Sequence, residues 1–250
     1  MSSKEILEED LKIASEILEY EIGDIYGHVG VRDPAGDGIL VKIFRPPDTG
    51  ENRDWLVQFD YSLKKLSGVG NPPREAAIYT EIFKHRPDVK AAVHTHAPMC
   101  IALSLADKPI TTVHMQSSRW GAGVPIFPKP IFILDFQEGD ELAEALDQHS
   151  AVVIKGHGIV TVGKTIDEAC MNALYLERTA KIQSLAHLLG FQGPTEEFLD
   201  TMERTKNKLF STAPSRQGDK ANPSRPLYSS EWRYYADKIK KGERWSRGWT

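Results

Sequence analysis

Asn71–Cys100 reads NPPREAAIYTEIFKHRPDVKAAVHTHAPMC, and a second piece, KGHGIVTVG at Lys155–Gly163, returns to it. The first piece places a Glu on a helix and two His on a strand. Across Lys90–His96 the side chains alternate between faces, so His94 and His96 project from the same side, about 6–7 Å apart along the backbone. Two imidazoles at that separation can share a metal ion or can pack in a core. Catalytic zinc sites use three protein ligands and keep one position open, and His157 is the candidate third. It follows the apolar run Ala151-Val152-Val153-Ile154, which reads as a buried strand ending at the edge of a sheet. Its neighbours Gly156 and Gly158 let the backbone turn sharply there. A third His in such a turn moves the reading of the pair from packing to ligation.

Upstream, Pro72-Pro73-Arg74-Glu75 reads as the opening of a helix capped by Asn71, since proline suits a first helical turn. Glu75 would lie in that turn. An acidic residue there complements the helix dipole, or else serves as an acid/base group beside a metal.

Outward from this centre, Lys4–Tyr20 carries apolar residues at helical spacing and predicts an amphipathic first helix. The Gly-rich EIGDIYGHVGVRDP leads to a strand pair, Ile39–Phe44 and Trp55–Phe59, joined by the turn-forming RPPDTGEN. His28 on this segment reads first as a strand histidine packed under the helix. Further on, Met99–Ala106 predicts a short helix, Thr111–Gln116 a strand carrying His114, and Glu138–Gln148 a helix. Thr165 and Glu168 form a capping box that opens a long helix ending near Gly190. Residues 211–226 read as a linker, and the tail beyond concentrates Trp232, Tyr234, Tyr235, Trp245 and Trp249 with basic residues. Such a tail suits packing on its own domain or docking on a neighbouring subunit. The organisation expected is a domain over residues 1–210 and a linker with an aromatic tail over 211–250.

The 250 residues are 40% hydrophobic and carry a net charge of -4, which suits a sizeable core and argues against an electrostatic nucleic-acid binder. No apolar run approaches the roughly 18 residues of a membrane span and the N-terminus is acidic, so a cytoplasmic protein is expected. Cys100 and Cys170 are far apart and read as free buried thiols.

Three elements, GHVGVRD at Gly27–Asp33, PPREAAIYTEIFKHRPDVKAAVHTHAP at Pro72–Pro98 and GHGIVTVG at Gly156–Gly163, occur in an order and spacing that resembles the class II aldolase/adducin family. The resemblance covers roughly residues 13–190. It implies that His94, His96 and His157 hold one divalent metal ion per chain, zinc first and manganese or iron as alternatives, with Glu75 as the acid/base residue. It further implies a three-layer αβα fold around a mixed, largely antiparallel sheet, a homotetramer, and substrate contact by His28. C-terminal segments of such aldolases cross to a neighbouring site, which makes Tyr234 and Tyr235 candidates for substrate binding. His114 stands beside Met115 where the aldolases place a tyrosine. Their phosphate-holding serines are replaced here by Pro72, Pro73 and Arg74.

The expected function is therefore a metal-dependent carbon–carbon lyase, decarboxylase or aldolase, acting on a small unphosphorylated hydroxy or hydroxyaromatic acid. A metal chelated by vicinal substrate oxygens would spread the developing charge as an enediolate, and Arg74, Arg119 or Lys155 could pair with a carboxylate. The alternatives are an Fe(II) oxygenase on the same His residues, a sugar-phosphate aldolase or epimerase, and an adducin-like scaffold without chemistry. The last has no need of these His and Glu75 together.

Overall fold

The computed structural model describes residues 3–34, 36, 38–43, 55–212 and 229–245. Helix α1 (Ser3–Ile22) buries Leu11, Ala14, Ile17 and Leu18 at helical spacing. It stops at Gly23, whose N–H returns to the Glu19 carbonyl. Four strands follow, β1 (His28–Arg32), β2 (Ile39–Lys42), β3 (Leu56–Phe59) and β4 (Lys65–Gly68), each antiparallel to the one before. The predicted RPPDTGEN turn and Phe44 lie outside the described residues.

Strand β5 (Ala91–Thr95) pairs with β1 on one side. On its other side lies a hairpin of β7 (Ala151–Ile154) and β8 (Gly158–Gly163). The two-residue β6 (Ile126–Phe127) runs parallel to β7 and ends the sheet, whose order is β4-β3-β2-β1-β5-β8-β7-β6. All other pairs among the described residues are antiparallel, so the sheet is mixed and largely antiparallel as expected. Strand β7 is not the edge strand, because β6 covers it.

Helices α3 (Pro98–Leu105), α5 (Ile166–Leu188) and α7 (Ser229–Lys240) join α1 on one face, over Val29, Val31, Val93, Val153 and Ile159. Helices α2 (Ala77–His85) and α4 (Phe136–Leu146) cover the other, over Val41, Val57, Ala92, Val152 and Val160. Alternate residues of one strand thus enter different cores, and each buried Val or Ile contributes about 1.5–3 kcal/mol relative to exposure. The fold is three-layer αβα.

Several predicted boundaries move. Helix α2 begins at Ala77 rather than Pro72, and its N-cap, Ala76, has no side-chain hydrogen bond, so Asn71 does not cap it. A residue preceding proline is pushed towards extended backbone, which keeps Asn71 and Pro72 out of a helix. Residues 74–76 form a turn in which the Ala76 N–H donates to the Pro73 carbonyl. No strand forms over 111–116. The Thr111 N–H donates to Gln183, the Val113 and His114 N–H groups donate to Ser117 Oγ, and Met115–Trp120 winds into a 3-10 helix. The donors a ladder needs are already used. Helix α4 starts two residues earlier than predicted because Asp135, with Glu138, caps it.

The C-terminal aromatic residues pack on their own chain. Trp232, Tyr235 and Trp245 are buried in the cluster with α1 and α5; Trp249 and most of the predicted linker lie outside the described residues. Arg178 of α5 ties the assembly together. It reaches Glu231 Oε1 (2.6 Å) and the Tyr235 hydroxyl (2.6 Å) on α7 and Glu21 Oε2 (3.4 Å) on α1. A second helix, α6 (Glu196–Thr212), precedes α7. Cys100 and Cys170 are free and buried as expected, and no helix of the described residues is long and apolar enough to cross a membrane. Replacing Arg178 by Met should lower unfolding stability by about 1–3 kcal/mol, the usual loss for charged hydrogen bonds, and expose α7 to protease. An unchanged thermal midpoint and digestion pattern would show that the apolar contacts alone hold the helix.

Candidate metal centre

Ala92 faces α2 and α4, so alternation along β5 sends His94 and His96 to that side. The β1–β5 register sets His28 opposite His94. His157 occupies the turn between β7 and β8, with its N–H donating to the Ile154 carbonyl. Gly158 makes the approach possible, since a Cβ there would lie 2.7 Å from the Thr95 carbonyl oxygen and 3.4 Å from His94 Cε1. Glu75 enters from the turn ahead of α2.

One ligand atom each from Glu75, His94, His96 and His157 lies within 4.8 Å of all the others. His94 Nδ1 is 3.1 Å from the Ile159 carbonyl oxygen and His157 Nδ1 is 2.8 Å from that of Ile131. Carbonyls only accept, so both Nδ1 atoms carry the proton and both Nε2 atoms are bare lone pairs. Those Nε2 atoms are buried with no hydrogen-bond partner. His96 Nδ1 lies 3.0 Å from Asp24 Oδ2, which also accepts from the His96 N–H (2.7 Å) and the Thr95 hydroxyl (2.8 Å). Glu75 Oε1 accepts the Ile133 N–H at 2.9 Å, while Oε2 stands 3.4 Å from His94 Nε2 and 3.7 Å from His157 Nε2.

Unpartnered buried nitrogens are costly, roughly 1–3 kcal/mol each. Lone pairs of fixed tautomer converging beside a carboxylate are what a divalent cation requires, and each imidazole is oriented from behind by an acceptor, as in known metal sites. The residues present therefore fit the metal. Three imidazole nitrogens with a carboxylate beside them suit zinc, manganese or iron.

The protonation states agree with ligation. Burial lowers the His157 imidazole, to about 4, aided by its neighbour His94, and lowers His28 to about 3. Burial alone would raise Glu75, but the Ile133 N–H that Oε1 accepts and the neighbouring imidazoles hold it below the usual carboxylate range. Burial would likewise raise Asp24, yet its bonds to His96 hold it well below the usual carboxylate range; the same Asp24 bond raises His96.

His28 is buried with its ring centroid 5.1 Å from that of His94. Arg74 is exposed one residue before Glu75. The other predicted residues are engaged elsewhere. His114 has Gln116 Oε1 2.9 Å from Nδ1 and Thr179 Oγ1 3.2 Å from Nε2. Arg119 donates to Asn172, and Lys155 pairs with Asp107. Tyr235 is held by Arg178 and Glu231 in the cluster on the far face of the sheet, and Tyr234 is 50% exposed beside Lys238. Neither tyrosine is brought to the centre by its own chain. Missing from the sequence reading were Asp24 and the carbonyls of Ile131 and Ile159, which orient the imidazoles. Only an acidic residue just ahead of the GHVGVRD strand could have hinted at the first.

Residues 22–184 match the model of the class II aldolase and adducin N-terminal domain. The chain belongs to this family. It is 28% identical over 169 residues to 3,4-dihydroxyphthalate decarboxylase of Arthrobacter keyseri, covering 62% of this chain and 68% of that one. It is 30% identical over 169 residues to L-fuculose phosphate aldolase of Methanococcus maripaludis, covering 65% and 87%. Among solved structures, L-fuculose 1-phosphate aldolase of Glaciozyma antarctica superposes with a TM-score of 0.73 at 25% identity over 95% of this chain and 91% of the other.

Purified protein should carry about one divalent metal per chain, lost in His94→Ala and His157→Ala. Asp24→Asn should keep the fold and weaken metal affinity about 10–100-fold, the usual effect of removing a ligand's orienting partner. Titration calorimetry showing wild-type affinity in Asp24→Asn would remove Asp24 from the centre.

Proposed function

We propose that the protein is a metal-dependent carbon–carbon lyase, foremost a decarboxylase, acting on an unphosphorylated acid with vicinal oxygens, with His94, His96 and His157 as ligands and Glu75 as the proton-moving group. The carrying observation is the convergence of His94 Nε2 and His157 Nε2, buried and unpartnered, on Glu75 Oε2. A divalent cation held there supplies Lewis-acid polarisation of the substrate oxygens.

Glu75 is anchored for proton transfer. The Ile133 N–H fixes Oε1, leaving Oε2 directed into the centre. As a carboxylate it takes a proton from the substrate at Oε2, then returns it to the carbon that loses CO2; the electron pair of the broken carbon–carbon bond accepts that proton, so the step balances. An exposed ring stands beside the centre. Phe132 is 62% exposed and stands edge-on to His157, with ring centroids 5.0 Å apart, a surface on which an aromatic acid can lie.

A phosphate is poorly provided for. Pro72 and Pro73 offer no N–H donor, and the Ser67 hydroxyl already donates to Gln58. The relatives named as dihydroxyphthalate decarboxylases support this reading. The second reading, a sugar-phosphate aldolase, rests on the 30% identity to the Methanococcus enzyme. Arg74, exposed beside Glu75, is the candidate partner for the substrate carboxylate. A homotetramer belongs to the same proposal by family resemblance.

Glu75→Gln should keep metal and fold and lose turnover on the order of 100-fold or more; wild-type rates would reduce Glu75 to a structural role. A panel of dihydroxyaromatic acids, hydroxyketo acids and sugar phosphates, scored with Zn, Mn and Fe, should show the best unphosphorylated acid turned over at least about tenfold more efficiently than any sugar phosphate. That gap is roughly 1.4 kcal/mol, one anion contact. Fuculose phosphate as the best substrate would establish the aldolase reading, and a requirement for dioxygen would establish an oxygenase.

A further inference from the structure

His28 shares the face of the sheet that carries His94, yet no metal ligation is needed of it. Its environment is built. The hydroxyl of Tyr79, a fully buried side chain on α2, lies 2.6 Å from His28 Nδ1 and 2.8 Å from the His28 carbonyl oxygen. A phenol has one proton, and the carbonyl can only accept it. Tyr79 therefore donates to the carbonyl and accepts from Nδ1–H. His28 is then the Nδ1–H tautomer with a bare lone pair on Nε2, at the far side of the ring from Tyr79.

That lone pair has no protein partner among the described residues, and unlike the Nε2 atoms of His94 and His157 it still reaches solvent. The geometry is specified two residues further along the same strand as well. Gly30 lies under the phenol ring, where a Cβ would come within 2.5 Å of Tyr79 Cε1; only glycine lets the ring cross β1 to reach His28.

We infer that Tyr79 is a positioning residue that locks His28 as an acceptor, so that the centre selects a substrate carrying a hydroxyl donor opposite His28 Nε2 and disfavours a phosphate oxygen there. Two lone pairs facing each other repel, whereas a phenolic or alcoholic O–H completes the hydrogen bond. The inference rests on the reading of this centre as one for vicinal oxygens, and it names the second of those oxygens as a donor. His28 is buried, which disfavours a second, charging proton on the ring.

The test uses the full chain loaded with zinc. Two-bond proton–nitrogen spectra of the imidazoles, with the His28 signals assigned by their loss in His28→Ala, should show a protonated Nδ1 and an unprotonated Nε2. In Tyr79→Phe the same signals should move towards the other tautomer. Catechol, titrated as a probe, should bind about fivefold more weakly to Tyr79→Phe and about tenfold more weakly to His28→Ala, while inorganic phosphate should not weaken in either. An Nε2–H tautomer in the unaltered protein, or equal weakening of catechol and phosphate, would overturn the inference. If Tyr79→Phe fails to fold, the spectrum of the unaltered protein and the His28→Ala titration still decide. Correct tautomer and catechol preference without turnover of any acid or sugar phosphate in the panel would refute the lyase reading and leave this one standing.

Discussion

Two imidazole nitrogens kept from water with nothing donating to them, His94 Nε2 and His157 Nε2, are the constraint on which the rest of the structure turns. A chain left to maximise its own stability would cover such atoms with a hydroxyl or an amide. Here the surroundings do the opposite. The Ile159 and Ile131 carbonyls take the Nδ1 protons and so forbid the rings to flip. The β5–β8 pairing supplies the first acceptor, and the segment leading to α4 supplies the second together with the Ile133 N–H that fixes Glu75. Sheet, hairpin and covering layer are thus organised to hold a set of lone pairs ready.

Much of this was legible in the chain. Alternation along Lys90–His96 placed His94 and His96 on one face, and the glycines around His157 marked a turn; both are local consequences of backbone geometry. The αβα layering followed from family resemblance more than from periodicity, because strands such as β7 are buried on both faces and lose their alternation. What escaped was non-local. Asp24 meets His96 across 72 positions and Tyr79 meets His28 across 51, and neither residue type advertises such a partner. Strands β4 and β6 were missed for another reason: the first is exposed and the second is two residues long. At 111–116 the pattern suggested a strand, but Ser117 and Gln183 had claimed its backbone donors.

Family membership and the 0.73 superposition fix the architecture, and a fold of this kind is compatible with aldol cleavage and decarboxylation alike. Around the ligand set of this chain stand two prolines ahead of Glu75, a Ser67 hydroxyl committed to Gln58 and an aromatic ring beside His157.

The chain order of the centre adds a matter of timing. Its groups come from residues 24, 75, 94, 96 and 157, and the acceptor that orients His94 lies 65 positions after it. On a chain emerging from the ribosome, β1 to β5 can pair while His94 is still free to rotate, because β8 has not yet been made. Until the hairpin closes, only His96, backed by Asp24, is oriented and His94 is not, so the pair is a weak and unselective trap for any passing metal. The full set exists only after most of the sheet has formed, so the finished fold, rather than the nascent chain, chooses the ion.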